Sequence, residues 1–244
     1  MSMDKRLGDI WVYLTASPLL WLTVTLAVYL AGQWLFQRSG GRALFNPVAL
    51  AITLLVGILL ATGTPYATYF QGAQFIHFLL GPATVALAIP LYLHWERVRR
   101  LLVPILAGLL AGSLTAILSA IGLAALLGAS PRTLLSLAPK SVTTPVAMGI
   151  AEKIGGLPSL TAVLVILTGV IGAVAAPALL RGLRIHDDAI KGLAIGVAAH
   201  GIGTARAFQI STLAGAFAGL AIGLNALLTA VLVPLLARLL GLTP

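Results

Sequence analysis

Residues 134–158 read LLSLAPKSVTTPVAMGIAEKIGGLP, and how this stretch is threaded decides the fold. It is apolar enough to sit in lipid. Yet it is interrupted by Pro139, Lys140, the hydroxyls of Ser141, Thr143 and Thr144, and Pro145. Pro139 ends any helix arriving from the N-terminal side. Thr144 before Pro145 reads as an N-cap and N1 pair, so a new helix starts there and runs to about Lys153.

Around this stretch lie charge-free runs: Ile10–Gln37, Ala43–Trp95, Leu101–Pro131, Ile154–Leu180 and Ala207–Ala237. Crossing the hydrocarbon core takes about 20 apolar residues as helix. Four runs fit one span each. Ala43–Trp95 fits two, divided by the turn-rich Thr62–Tyr66. The composition agrees. Hydrophobic residues make up 59% of the 244 and charged ones 9%, too few charges to cover a soluble globule of this length. This excludes a soluble enzyme, a nucleic-acid-binding domain and a disordered chain. The net charge of +9 comes from basic residues at the ends of apolar runs, as the positive-inside rule expects. Cysteine is absent, which removes disulfides and thiol chemistry. The first run is too long for a signal-peptide core, so the N-terminus reads as a span.

Placing Arg38, Arg42, Arg97, Arg99, Arg100, Arg181, Arg184, Lys191 and Arg238 inside puts nine of the fifteen basic residues in the cytoplasm. The chain is then outside at Arg132 and must be outside again before the span ending at Arg181. Leu134–Pro158 therefore enters and returns, as a re-entrant hairpin or broken helix. Asp187–Phe208 crosses outward and Ser211–Leu240 returns. The expected fold is an all-α, multi-pass membrane protein of seven spans, N-terminus outside and C-terminus inside. It forms one membrane domain over residues 1–244, with repeat halves at 46–128 and 134–240. Spans two to four and five to seven run in opposite senses, and the middle member of each triplet is irregular. Inverted repeats with interrupted helices are the sequence pattern of a transporter binding site.

Three segments carry the candidate chemistry. Lys140, Ser141, Thr143 and Thr144 stand at a helix N-terminus, where free N–H groups and the helix dipole suit an anion such as a carboxylate. Alternatively, the hydroxyls only cap and Lys140 snorkels to the interface. His200, Gly201, Gly203 and Thr204 form a second site, because two glycines can unwind a helix at mid-membrane and free backbone groups for a ligand. His200 could carry a proton or bond substrate; it could equally be tied to a neighbouring carbonyl. Pro82 and Thr84, after Gly81, mark a third break at the matching place in the first repeat. Arg206 is a second anion partner or, preferably, the ion-pair partner of Glu152. No metal-binding, phosphate-loop or nucleophile-elbow motif occurs, so neither metal nor cofactor nor enzymatic activity is expected. Homo-oligomerisation within the bilayer is expected.

Four motifs occur in order: LLGPATVALAIPLY at 79–92, PKSVTTP at 139–145, GGLPSLTA at 155–162 and HGIGTA at 200–205. With them the chain resembles the LrgB/CidB family from about Asn46 to the C-terminus. That family includes bacterial proteins described as antiholin-like or as effectors of murein hydrolase export. It also includes the LrgB-like half of the plastid glycolate/glycerate transporter. The resemblance implies a bacterial cytoplasmic (inner) membrane protein that transports small monocarboxylates such as glycolate, glycerate, pyruvate or lactate. The alternative it implies is a holin- or antiholin-like modulator of murein hydrolase export and lysis. It also implies a small LrgA/CidA-type membrane partner. The plant protein carries both halves, so its complete activity need not transfer to this chain.

Overall fold

The computed structural model describes residues 17–42 and 45–242. Among them the regular elements are helices and no strand occurs. The expected first span begins at Ile10, and its residues before Ser17 lie outside the described ones. So does Ala43, the expected start of the next run.

The chain divides into two compact units at Ala86/Leu87. The first contains α1 (Pro18–Arg38), α2 (Pro47–Thr62), α3 (Tyr66–Phe78) and α4 (Leu80–Ala86). α1 and α2 begin at prolines, and α3 begins directly after Pro65. Asn46, 1% exposed, accepts the backbone N–H groups of Val48 and Ala49 at 3.0 Å each, and Gly63 ends α2 with a left-handed φ of 63°. α1 packs on α3 around buried Trp21, which meets Tyr69 edge-on at 5.9 Å. Gly72 makes this approach feasible, since a Cβ there would lie 2.8 Å from the Trp21 Cβ.

The second unit contains α5 (Ala88–Leu93), α6 (Trp95–Arg100), α7 (Leu102–Leu126), α8 (Pro131–Leu137), α9 (Thr144–Lys153), α10 (Pro158–Gly182), α11 (Asp188–Ile210) and α12 (Thr212–Leu239). α11 and α12 approach closely because Gly196 faces Ala218 and Ala221; a Cβ on Gly196 would meet each at 2.8 Å. Val98, Ile105, Leu109, Val197, Phe217 and Ala221 form one core among α6, α7, α11 and α12. At one end Asp187 caps α11, accepting Ala189 N–H at 2.7 Å, and pairs with Arg97 at 2.5 Å.

Among the described residues, five stretches of helix are long and apolar enough to cross a membrane: Pro18–Arg38, Tyr66–Leu93, Leu102–Leu126, Pro158–Gly182 and Thr212–Leu239. The other two expected spans differ for physical reasons. α2 is a 16-residue apolar helix. α11 has 23 residues but carries Asp188, Lys191 and Arg206. Many large apolar side chains, Leu126, Leu127, Leu227 and Leu239 among them, point outward. In water that would be costly; in lipid it is expected.

The deciding stretch forms two short helices. α8 has 7 residues and α9 has 10, about 10 and 15 Å at 1.5 Å per residue, so neither crosses a hydrocarbon core of about 30 Å. The chain after α9 comes back to α8. Leu157 N–H donates to Ser136 Oγ at 2.7 Å, and Thr161 Oγ1 donates to the Ser136 carbonyl at 2.9 Å. Buried Gly156 lies against this turn, where a Cβ would stand 3.0 Å from Ser136 N.

Candidate functional site

The break between α8 and α9 spans residues 138–143. Its cap lies one residue before the expected one: the N-cap is Thr143, with helix beginning at Thr144 and Pro145 in the first turn. Pro145 disfavours helical backbone at the residue before it, but α9 accommodates Thr144. The Thr143 side chain makes no capping bond, and among the described residues no loop or turn bond from the Thr144 N–H occurs. Lys140 is half-buried, with Nζ 3.4 Å from the buried Ser141 hydroxyl.

The break in α11 also differs in detail from expectation. The residue with non-helical backbone is His200 itself, at φ 40° and ψ −135°, while Gly201 and Gly203 are helical. A positive φ on a non-glycine residue is strained and needs surrounding contacts to hold it. Here they are visible. The ring is 4% exposed and its Nε2 lies 2.9 Å from the Val165 carbonyl. A carbonyl only accepts, so Nε2 carries the proton and Nδ1 is the nitrogen left to accept one. The ring occupies a slot made by Gly169, whose Cβ would stand 2.6 Å from Cε1. Thr204 Oγ1 donates back to the His200 carbonyl at 3.0 Å. Gly203 lets the second half of α11 fold onto the first, since a Cβ there would meet Ala199 Cβ at 2.6 Å.

These two interrupted segments come together on one turn of α10. Val165 packs its side chain with Val142 and Ala147, and its carbonyl takes the His200 ring. Lys140, Ser141, Thr143, Thr144, His200, Gly201, Gly203 and Thr204 thus belong to one unit. Pro82 and Thr84 lie in α4 of the first unit. Glu152 is exposed at the end of α9, and Arg206 donates to Gln209 Oε1 at 2.7 Å. Among the ion pairs of the described residues, Glu152–Arg206 does not occur.

Sequence reasoning missed Asn225, Ser113 and Thr229. Asn225 is 1% exposed and stands half-way along α12. It joins Ser113 Oγ at 2.5 Å, the Ser141 carbonyl at 3.1 Å and the Val197 carbonyl at 3.3 Å. The available signal was one asparagine centred in a long apolar run; a polar amide in lipid demands partners.

Outward-facing apolar helices around a buried polar centre, with helices broken where they meet it, define a multi-pass membrane protein. The model of the LrgB-like family matches residues 25–239, and the chain belongs to that family. It is 38% identical over 215 residues to a Bacillus subtilis (strain 168) protein named "Uncharacterized protein YwbG", covering 88% of this chain and 95% of that one. It is 31% identical over 227 residues to the "Antiholin-like protein LrgB" of the same strain, covering 93% and 98%. The Bacillus cereus (strain B4264) protein of that name is also 31% identical, with 93% and 99% covered. No solved structure matches the chain significantly.

Proposed function

We propose that this LrgB-family protein is a carrier for small monocarboxylates of the glycolate, glycerate, pyruvate or lactate type in a bacterial cytoplasmic membrane. Lys140, Ser141, Thr143 and Thr144 receive the carboxylate at the start of α9. His200, Gly201, Gly203 and Thr204 line the break in α11, with His200 as the proton-carrying group. The observation that carries this reading is the convergence of the two broken segments on Val165. A lysine, hydroxyls, a free N–H and an imidazole are thereby gathered beside one buried turn, the equipment for compensating an anion away from water. The seven-span topology belongs to the same proposal, with residues 134–158 re-entrant and inverted repeats in the two halves. It is supported by the shortness of α8 and α9 and by the return of the chain to Ser136.

The names of two relatives speak more directly for a second reading, an antiholin-like membrane protein; the family resemblance adds to it a role in modulating murein hydrolase export and lysis. One experiment separates the two. In proteoliposomes a carrier gives saturable uptake and counterflow of a labelled monocarboxylate, competed by its chemical relatives. A pore passes unrelated solutes without saturation. Running it with and without an LrgA/CidA-type partner tests whether the chain acts alone.

A further inference from the structure

We infer that Asn225 is the positioning residue that joins the two interrupted segments, holding the Lys140–Ser141 turn and the first half of α11 in register. This rests on the carrier reading above for its functional consequence, though not for its geometry. A side-chain amide has two N–H donors and an oxygen with two lone pairs. At Asn225 all four are engaged. Nδ2 donates to the Ser141 carbonyl at 3.1 Å and to the Val197 carbonyl at 3.3 Å. Oδ1 accepts from Ser113 Oγ at 2.5 Å and from Thr229 Oγ1 at 3.4 Å.

The orientation is forced, because two carbonyls can face only the nitrogen end. With its capacity filled, the amide has nothing left for a substrate; its action is on the groups it holds. Ser141 follows Lys140 directly, and Val197 stands three residues before the strained His200. Ser113 lies near the middle of α7 as Asn225 does of α12. One buried side chain therefore ties α7, the α8–α9 turn and α11 to α12. In a low-dielectric interior such a joint is specific, and leaving its carbonyls unpaired is costly.

The test uses the absence of native cysteine. Single cysteines replace Thr143, beside the held turn, and Arg132, at the exposed start of α8, and labelling by a polar thiol reagent is timed in detergent. Asn225→Leu is expected to raise the rate at position 143 about tenfold and leave position 132 unchanged. Asn225→Asp, which keeps the acceptor and loses the amide donors, gives an intermediate rise. Ser113→Ala gives a smaller one and decides the matter if Asn225→Leu does not fold. In the cysteine-free chain, Asn225→Leu raises the half-saturation constant for monocarboxylate uptake about tenfold, with a smaller change in maximal rate. Unchanged labelling at 143, or an equal rise at both positions, overturns the joint. The expected labelling in a protein that carries no monocarboxylate leaves the joint standing and removes the carrier reading.

Discussion

Gly169→Ala puts a methyl group where the His200 ring now lies. The new Cβ would stand 2.6 Å from Cε1, 2.8 Å from Nε2 and 2.9 Å from Ile202 Cδ1. Carbon atoms rest at about 3.5–4.0 Å, so the ring or α10 must retreat by about 1 Å. The ring is only 4% exposed, so it has no open space to enter. A retreat of that size lengthens the 2.9 Å bond to the Val165 carbonyl beyond useful range. Overpacking costs about 1–3 kcal/mol, and stranding a buried donor and acceptor costs a further 1–3 kcal/mol, roughly. Gly169→Ala should therefore lose about 2–6 kcal/mol of stability and most of its uptake, because the contacts that hold the positive φ of His200 are gone. The control is Gly122→Ala in α7, where an added Cβ meets nothing within 4 Å and alanine is the better helix former by about 0.5–1 kcal/mol. Denaturant or thermal unfolding of both purified variants in one detergent is the assay. A Gly169→Ala midpoint equal to that of the wild type or of Gly122→Ala would refute the slot.

Lys140→Met should raise the half-saturation constant for carboxylate uptake sharply with folded yield unchanged, and Lys140→Arg should restore only part of it, since guanidinium differs in shape and hydration; unchanged affinity in Lys140→Met assigns the residue to the interface. His200→Gln should flatten the rise of uptake with falling outside pH, because the imidazole is the group able to take a proton at Nδ1; loss of gradient-driven uptake with counterflow retained supports this, and loss of neither removes His200 from the mechanism. Ser136→Ala leaves Leu157 N–H without its acceptor and should cost about 1–3 kcal/mol, read as a lower unfolding midpoint. Cysteines at Leu127 and Ser159, both exposed, should label from the same side of intact vesicles; labelling from opposite sides would make residues 134–158 a single crossing.

The sequence by itself determined what depends on local composition. Apolar runs without charge can be satisfied only by lipid, and a helix in lipid satisfies its own backbone, so Leu102–Leu126, Pro158–Gly182 and Thr212–Leu239 were legible from the residues alone. Prolines act on their own neighbours, so the interruption around Pro139 and the restart before Pro145 were legible too, with the cap misplaced by one residue because the helix tolerates Thr144 at its first position. Tertiary structure decided the rest. The glycines after His200 suggested that they would carry the irregular backbone, yet His200 carries it, held by a carbonyl 35 residues earlier and by the slot at Gly169. Asn225 looked like one polar residue in an apolar helix until its partners at 113, 141 and 197 came within hydrogen-bonding range. A hydrogen bond between distant residues leaves no periodic trace in sequence. Only the packing of α7, α10, α11 and α12 brings those groups together, and in a buried, low-dielectric interior that packing fixes which donors meet which acceptors.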